Sequence, residues 1–196
     1  MSEPRSMRPE LLEAIARTTL KRYDPRLVTD PETTCVPIED IIESLGLSLE
    51  YQYIRKNRYL TMAISLYTTW NRNDTNLSIW REVKRSRPSV RQRSRLASMM
   101  MVPCAHELAH WLIHQELYSG SGNTAAMQKC TAKSSEADKY IERQADKLAS
   151  DLLMPINQVK RCFYHTAGSS RIDSLAEQFG VSKQAMEIRL KEHSLI

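Results

Sequence analysis

Hydrophobic and polar residues follow two patterns along the chain, helical spacing in the outer parts and alternation between them. Near the start, Leu12, Ile15 and Leu20 fall on one face of a helix. Proline interrupts helices, so we expect this first helix to end before Pro25.

A second helix is predicted from Ile38 to Leu45. Pro37 suits the start of a helix, and Gly46 suits the left-handed residue that closes one. Apolar and polar residues then alternate in three runs, which is typical of half-buried strands. The predicted strands lie near residues 47–53, 60–66 and 77–79.

Helical spacing returns in the second half of the chain. A strongly apolar helix is predicted from about Arg95 to Leu117, and another begins near residues 134–135 and ends at Pro155. Two shorter helices follow, over residues 172–179 and 182–190, with a turn at Gly180 between them.

This order of elements predicts an α+β fold, in which a small three-stranded sheet precedes a mostly helical C-terminal half. A chain of 196 residues can form one packed domain with a small accessory part. We therefore expect an N-terminal helix and linker, a main domain, and a helix-turn-helix-like segment packed on that domain. Their predicted ranges are residues 1–34, 35–160 and 161–196.

Composition is that of a soluble globular protein, with 41% hydrophobic and 26% charged residues. The first ten residues contain no apolar signal sequence, and no stretch approaches the roughly 20 apolar residues that span a bilayer. We therefore expect a cytoplasmic protein with no membrane partner.

The cysteines are widely spaced, as expected of reduced thiols, and Cys104 is predicted to be a small buried hydrophobe. They are Cys35, Cys104, Cys130 and Cys162.

The net charge of +5 comes largely from a basic run between Lys84 and Arg95. Such a run could contact nucleic acid or an acidic protein. No aromatic residues are interleaved with these cations, so we favour a solvated connecting loop, with attraction of substrate as a lesser role.

The apolar helix carries the sequence His-Glu-Leu-Ala-His at residues 106–110. Histidines four residues apart on a helix project from one face, so His106 and His110 can both bind one Zn²⁺ ion. Glu107 lies about 100° around the helix, from where it can reach a water molecule on that ion. Zinc lowers the pKa of this water toward ~7, so Glu107 can take its proton and pass it to the leaving amine. The motif therefore predicts a zinc metallopeptidase.

A third zinc ligand is expected from another element, because His114 continues the spacing but diverges along the helix axis. We choose Glu142, which lies beside the predicted buried stripe of the next helix, where an unpaired carboxylate is costly. Asp146, one turn further on, can accept a hydrogen bond from the second nitrogen of a ligating imidazole. His114 is better interpreted as a structural or hydrogen-bonding residue than as a ligand. Glu136 and Asp138 are competing carboxylates, although both fit the first turn as capping residues.

These residues resemble the ImmA/IrrE family of metallopeptidases. The resemblance rests on HELAHWLIH at residues 106–114 and on the segment 142–155, which ends in Leu-Leu-Met-Pro. Segments 36–46 and 175–190 are similar to the N-terminal helix and the closing segment of the family. Together these stretches cover most of residues 35–196.

The resemblance implies a zincin-like fold in which the two motif histidines and Glu142 bind zinc and Glu107 is the catalytic base. It also implies cleavage of a helix-turn-helix repressor or antitoxin, which releases phage, mobile-element or stress-response genes. This chain departs from the family at two positions, with Ala109 where Gly is common and Gln144 where a second Glu is often found. Neither change alters the catalytic set, and Gln144 removes a rival to Glu142.

The oxyanion that forms at the substrate carbonyl needs a hydrogen-bond donor. Tyr140, Tyr164 and His165 are the candidates in this sequence. Each also has an ordinary interpretation as a core or surface residue.

The C-terminal helices leave an alternative function open. The two helices around Gly180 resemble a helix-turn-helix unit, which would suit a non-catalytic regulator that binds DNA or a repressor. The second helix mixes Lys183 and Arg189 with acidic residues, so packing or substrate docking is favoured over DNA binding. Glu107 favours the peptidase, because a protein that only binds has no need of a catalytic base.

Overall fold

Helices make up most of the chain that the structure describes, and the strands form one small region. The computed structural model describes residues 7–30, 32–56, 59–68, 77–79, 93–118, 136–168 and 170–196. The helices in these ranges are α1 (Pro9–Tyr23), α2 (Arg26–Thr29), α3 (Ile38–Ser44), α4 (Arg93–Tyr118), α5 (Glu136–Leu153), α6 (Ile156–His165), α7 (Arg171–Gln178) and α8 (Lys183–Glu192). The strands are β1 (Leu47–Lys56), β2 (Tyr59–Thr68) and β3 (Leu77–Ile79).

The first helix forms where the apolar spacing predicts it. Leu12, Ala16 and Leu20 lie four residues apart and are at most 2% exposed, so they form one buried stripe. This stripe belongs to the main hydrophobic core, in which α1 packs against α5. The helix ends at Tyr23, before Pro25, as expected, and the short helix α2 that follows is not predicted by the pattern.

The second predicted helix and its closing glycine are confirmed. Helix α3 ends at Ser44, one residue before the predicted end, and buries Ile38, Ile41 and Ile42. Gly46 has a φ of +74°, the left-handed conformation that glycine adopts without steric penalty.

The strands lie where the alternating pattern predicts them. β1 pairs antiparallel with β2, and β2 pairs antiparallel with β3, so the order is β1-β2-β3. The first pairing runs from Leu47 opposite Thr68 to Lys56 opposite Tyr59. Leu47 is 3% exposed and joins the main core next to α3, so the start of β1 is anchored to the helical part.

Helix α4 is the long apolar helix that carries the His-Glu-Leu-Ala-His sequence. Cys104 and Leu108 are both fully buried, so the prediction for Cys104 is confirmed. The helix begins at Arg93, slightly before the predicted start, so Arg93 and Arg95 belong to the helix and not to the basic loop. The rest of that run, residues 84–92, lies outside the described residues.

Helix α5 packs against α4 with a narrow apolar face. Its buried positions include Ala145, Leu148 and Leu152, each 0% exposed and separated by three or four residues. The helix ends at Leu153, just before Pro155, as predicted. Helix α5 therefore contacts two helices, α4 and α1.

Helix α6 is not among the predicted elements, where Pro155 marks only the end of the preceding helix. Proline also suits the start of a helix, and Pro155 here directly precedes the first turn of α6. The apolar residues Ile156, Val159 and Phe163 recur at helical spacing and are at most 7% exposed. This spacing is the signal that would have predicted the helix.

The two C-terminal helices meet at a glycine turn, as expected. Gly180 has a φ of +64°, and Ser182 caps α8 by accepting a hydrogen bond at Oγ from the Ala185 N–H at 3.1 Å. None of the helices in the described ranges is both long enough and apolar enough to cross a membrane.

A buried ion pair fastens α8 to the end of α5. Arg189 Nη1 lies 2.7 Å from Asp151 Oδ1, and the two side chains are 0% and 1% exposed. Arg189 also donates two hydrogen bonds to the Met154 carbonyl, from Nε at 3.1 Å and Nη2 at 2.9 Å. Lys147 lies 2.7 Å from the same Asp151 oxygen. The guanidinium therefore joins the last helix to the segment that follows α5.

We expect Arg189→Met to lower the free energy of unfolding by about 3 kcal/mol, because it leaves the buried Asp151 carboxylate with one cationic partner instead of two. Lys191→Met is the matched control on the same helix. It removes an exposed ion pair with Glu187 and should change the free energy by about 0.5 kcal/mol or less. Urea denaturation followed by circular dichroism measures both values, and equal losses in the two variants would contradict the role given to Arg189.

Candidate metal centre

Two histidines one turn apart on α4 form the buried side of the site. His106 and His110 are 3% and 2% exposed, and their Nε2 atoms are 3.0 Å apart. Residues separated by four positions share a face of a helix, which explains why the two rings lie side by side. Their ring centroids are 4.7 Å apart, so both Nε2 atoms face one small region of space.

The facing helix, α5, contributes a carboxylate to the same region. Glu142 Oε2 lies 3.3 Å from His106 Nε2, and Glu142 Oε1 lies 3.4 Å from His110 Nε2. Hydrogen bonds from His106 and then from His110 hold the pKa of Glu142 well below its usual range, so this carboxyl group is ionised. Its side chain is 44% exposed, so the site opens to solvent on the α5 side.

These three residues could hold a metal ion. One ligand atom from each of His106, His110 and Glu142 lies within 4.8 Å of the other two. Ligands bound to a tetrahedral zinc ion at about 2.0–2.1 Å lie roughly 3.3 Å apart. The two Nε2 atoms are 3.0 Å apart, and each lies 3.3 or 3.4 Å from a different oxygen of Glu142, so the individual distances are close to that value. Two nitrogens and one carboxylate oxygen are also a donor set that zinc accepts.

Asp146 orients the first of the two imidazoles. Its Oδ1 atom lies 2.8 Å from Nδ1 of His106. When a metal occupies Nε2, the proton of the ring lies on Nδ1, beside a carboxylate that can accept it. The contact predicted for Asp146 is therefore present in the structure.

His114 lies beside the second imidazole and away from the ligand cluster. Its Nδ1 atom is 3.1 Å from Nδ1 of His110, and its Nε2 atom is 3.0 Å from Oε1 of Gln144. Gln144 in turn donates from Nε2 to the Tyr140 hydroxyl at 3.0 Å. Burial lowers the pKa of His114, so its ring is neutral. Sequence reasoning considered Gln144 only as a departure from the family, and it missed this contact.

Glu107 lies between the two histidines in sequence and is 1% exposed. A glutamate is rarely buried so completely without a functional or structural reason. Its position on α4 places it about 100° around the helix from His106.

Two other predicted candidates lie on a different helix. Tyr164 and His165 belong to α6, which supplies none of the three clustered groups. Tyr164 is 74% exposed, and His165 hydrogen-bonds from Nδ1 to the Arg161 carbonyl of its own helix at 2.7 Å.

Among the carboxylates that compete with Glu142 as a ligand, Glu136 pairs with Lys139 at 2.6 Å in the first turn of α5.

Residues 98–191 match the family model of peptidase M78, described as the IrrE N-terminal-like domain. No curated protein and no solved structure matches the chain. The matched segment contains the whole His-His-Glu cluster, so the site and the match together support a metallopeptidase. The match over residues 98–191 therefore supports the resemblance to the IrrE-like peptidases seen in the motifs of the chain.

We expect the purified protein to retain about one zinc ion per chain after dialysis, as a site with three protein ligands does. His106→Ala and Glu142→Ala should each abolish most of this binding, because each removes one ligand of three. His165→Ala is the control, since it removes a histidine on α6 and should leave the zinc content unchanged. Elemental analysis by mass spectrometry measures all four proteins, and full zinc content in His106→Ala would refute the site.

Proposed function

We propose that the protein is a zinc-dependent endopeptidase that cleaves one specific regulatory protein, a helix-turn-helix repressor or antitoxin. The observation that carries this proposal is the convergence of His106, His110 and Glu142 from two packed helices within one metallopeptidase domain. The family resemblance supports a regulatory protein as the substrate. Its cleavage would then release phage, mobile-element or stress-response genes.

Each residue of the site has a defined task in this proposal. His106, His110 and Glu142 would hold the metal, for which their donor atoms and spacing are suited. A zinc ion there supplies Lewis acidity, which polarises the substrate carbonyl and acidifies water. Asp146 keeps the His106 ring oriented through its 2.8 Å contact with Nδ1.

Glu107 acts as the general base in the same scheme. Its carboxylate takes a proton from the attacking water and delivers it to the nitrogen of the leaving amine. Its burial within α4 supports this role, since a glutamate is rarely buried so completely without a functional or structural reason.

A hydrogen-bond donor for the oxyanion is still to be assigned among Tyr140, Tyr164 and His165. We give priority to Tyr140, whose hydroxyl is bonded to Gln144 next to the buried histidines. The exposure of Tyr164 and the local hydrogen bond of His165 support them less well.

We further propose a zincin-like architecture, with the sheet and the α4 active-site helix in a central domain over residues 35–160. Residues 1–34 would form the N-terminal helix and linker, and residues 161–196 the helix-turn-helix-like segment packed on this domain. The free thiols Cys35, Cys104 and Cys162 favour a cytoplasmic location.

The alternative function, a non-catalytic regulator that binds DNA or a repressor through the C-terminal helices, receives less support. A DNA-reading helix needs accessible cations, and Arg189 of α8 is buried against Asp151. The exposed cations Lys183 and Lys191 lie 2.9 Å from Asp173 and 2.7 Å from Glu187, respectively. These contacts favour packing of the segment over direct binding of DNA.

We expect Glu107→Gln to keep its zinc but to cleave about 10²–10⁴-fold more slowly, since it retains the side-chain shape and removes the proton acceptor. The substrate for the assay is the helix-turn-helix regulator encoded beside the gene, and electrophoresis resolves its fragments.

The matched control for this experiment is Glu136→Gln, which makes the same change at an exposed carboxylate in the first turn of α5. It should cleave at the wild-type rate. If Glu107→Gln also cleaved at that rate, the assigned role of Glu107 would be wrong. If the wild-type protein bound zinc but left the regulator intact, the substrate assignment would be wrong.

A further inference from the structure

A run of hydrogen bonds leads from the candidate metal cluster along α4 and α5 to the half-buried Tyr140. It starts at Nδ1 of His110, passes through both nitrogens of His114 and the amide of Gln144, and ends at the Tyr140 hydroxyl. The three separations are 3.1, 3.0 and 3.0 Å. His114 and Gln144 are only 2% and 5% exposed, so bulk water does not substitute for these contacts.

The direction of this run decides which nitrogen of His110 is available to a metal. A neutral imidazole carries one proton, and the nitrogen that binds a metal must be the one without it. Nε2 of His110 is the atom that faces His106 and Glu142, so the proton of His110 must lie on Nδ1. Nδ1 then donates to Nδ1 of His114 at 3.1 Å, which must accept.

An accepting Nδ1 in turn fixes the state of His114. A ring that accepts a hydrogen bond at Nδ1 carries its single proton on Nε2, and this proton requires an acceptor. Oε1 of Gln144 is that acceptor at 3.0 Å, and the amide stays in this orientation because its Nε2 group donates to Tyr140. Every donor in the run therefore meets an acceptor, with all bonds pointing from His110 towards Tyr140.

We propose that Gln144 is a positioning residue that acts through His114 to keep His110 protonated at Nδ1, with Nε2 directed to the metal. This inference rests on the proposed metal site. Gln144, acting through His114, would orient the His110 ring, as Asp146 orients the His106 ring. The two ligating rings are thus oriented in different ways, one by an exposed carboxylate and the other by a buried imidazole and amide.

Two substitutions at residue 144 separate the role of an acceptor from that of a merely space-filling side chain. Gln144→Met has similar length and no acceptor oxygen, and we expect its zinc dissociation constant to rise about 10–100-fold. Gln144→Glu keeps an acceptor at the same place and should stay within about threefold of wild type. Gln184→Met, at an exposed position of α8, is the control for the same change of side chain.

Competition with a chromophoric zinc chelator measures these constants. If Gln144→Met binds zinc as tightly as the wild type, or if Gln144→Glu is as weak as Gln144→Met, the proposal is overturned. If the wild-type protein binds no zinc, the proposed function fails together with this inference. Tight zinc binding by the wild type with no effect of Gln144→Met overturns the inference alone.

Nuclear magnetic resonance of the zinc-loaded wild-type protein gives a second readout that needs no variant. Long-range ¹⁵N–¹H correlations identify the protonated nitrogen of each histidine ring. We expect the proton on Nδ1 of His110 and on Nε2 of His114. A proton on Nδ1 of His114 would mean that the run points the other way, and the proposal would be wrong even if every variant folds.

Discussion

Two imidazole rings from α4 and one carboxylate from α5 meet within 3.4 Å, and the site exists only while these helices keep their register. His106 and His110 are almost fully buried, so their polar atoms depend on partners within the protein. The facing helix supplies Glu142 to both rings and Asp146 to the far nitrogen of His106. A rotation of α5 by a single residue, about 100°, would carry both carboxylates away from the rings. The geometry of the candidate metal site therefore depends on how α4 and α5 pack.

Helix α5 can keep this register because its different faces make different kinds of contact. Glu142 and Asp146 are four residues apart and point towards the histidines, whereas the fully buried Ala145 and Leu148 belong to the apolar core. At its C-terminal end, Arg189 fastens α8 to α5 through a buried ion pair and two bonds to a backbone carbonyl. Apolar packing along α5 and the polar contacts of Arg189 at its end together limit rotation and sliding of this helix.

Local features of the sequence were predictable, and features that depend on distant partners were not. The four-residue spacing places His106 and His110 on one face by helix geometry alone, and Glu142 was found because it lies beside a buried stripe. The ion pair of Arg189 could not be predicted, since its partner Asp151 lies 38 positions away and only the folded chain brings the two together. Gln144 was missed for the same reason, because an amide shows its role only when the ring it contacts is known.

Access to the site follows from the same arrangement of helices. The histidines are covered, while the side chains of Glu142 and Asp146 are 44% and 62% exposed. Under the proposed function, a peptide carbonyl would approach the cluster from the α5 side, where the residues that contact the flanking parts of a substrate should lie. The run from His110 to Tyr140 holds its buried members, His114 and Gln144, behind the cluster and ends at the half-buried Tyr140. The candidate ligands are thus oriented by neighbouring side chains, and we expect selection of the substrate to depend on the exposed side of α5 and its surroundings.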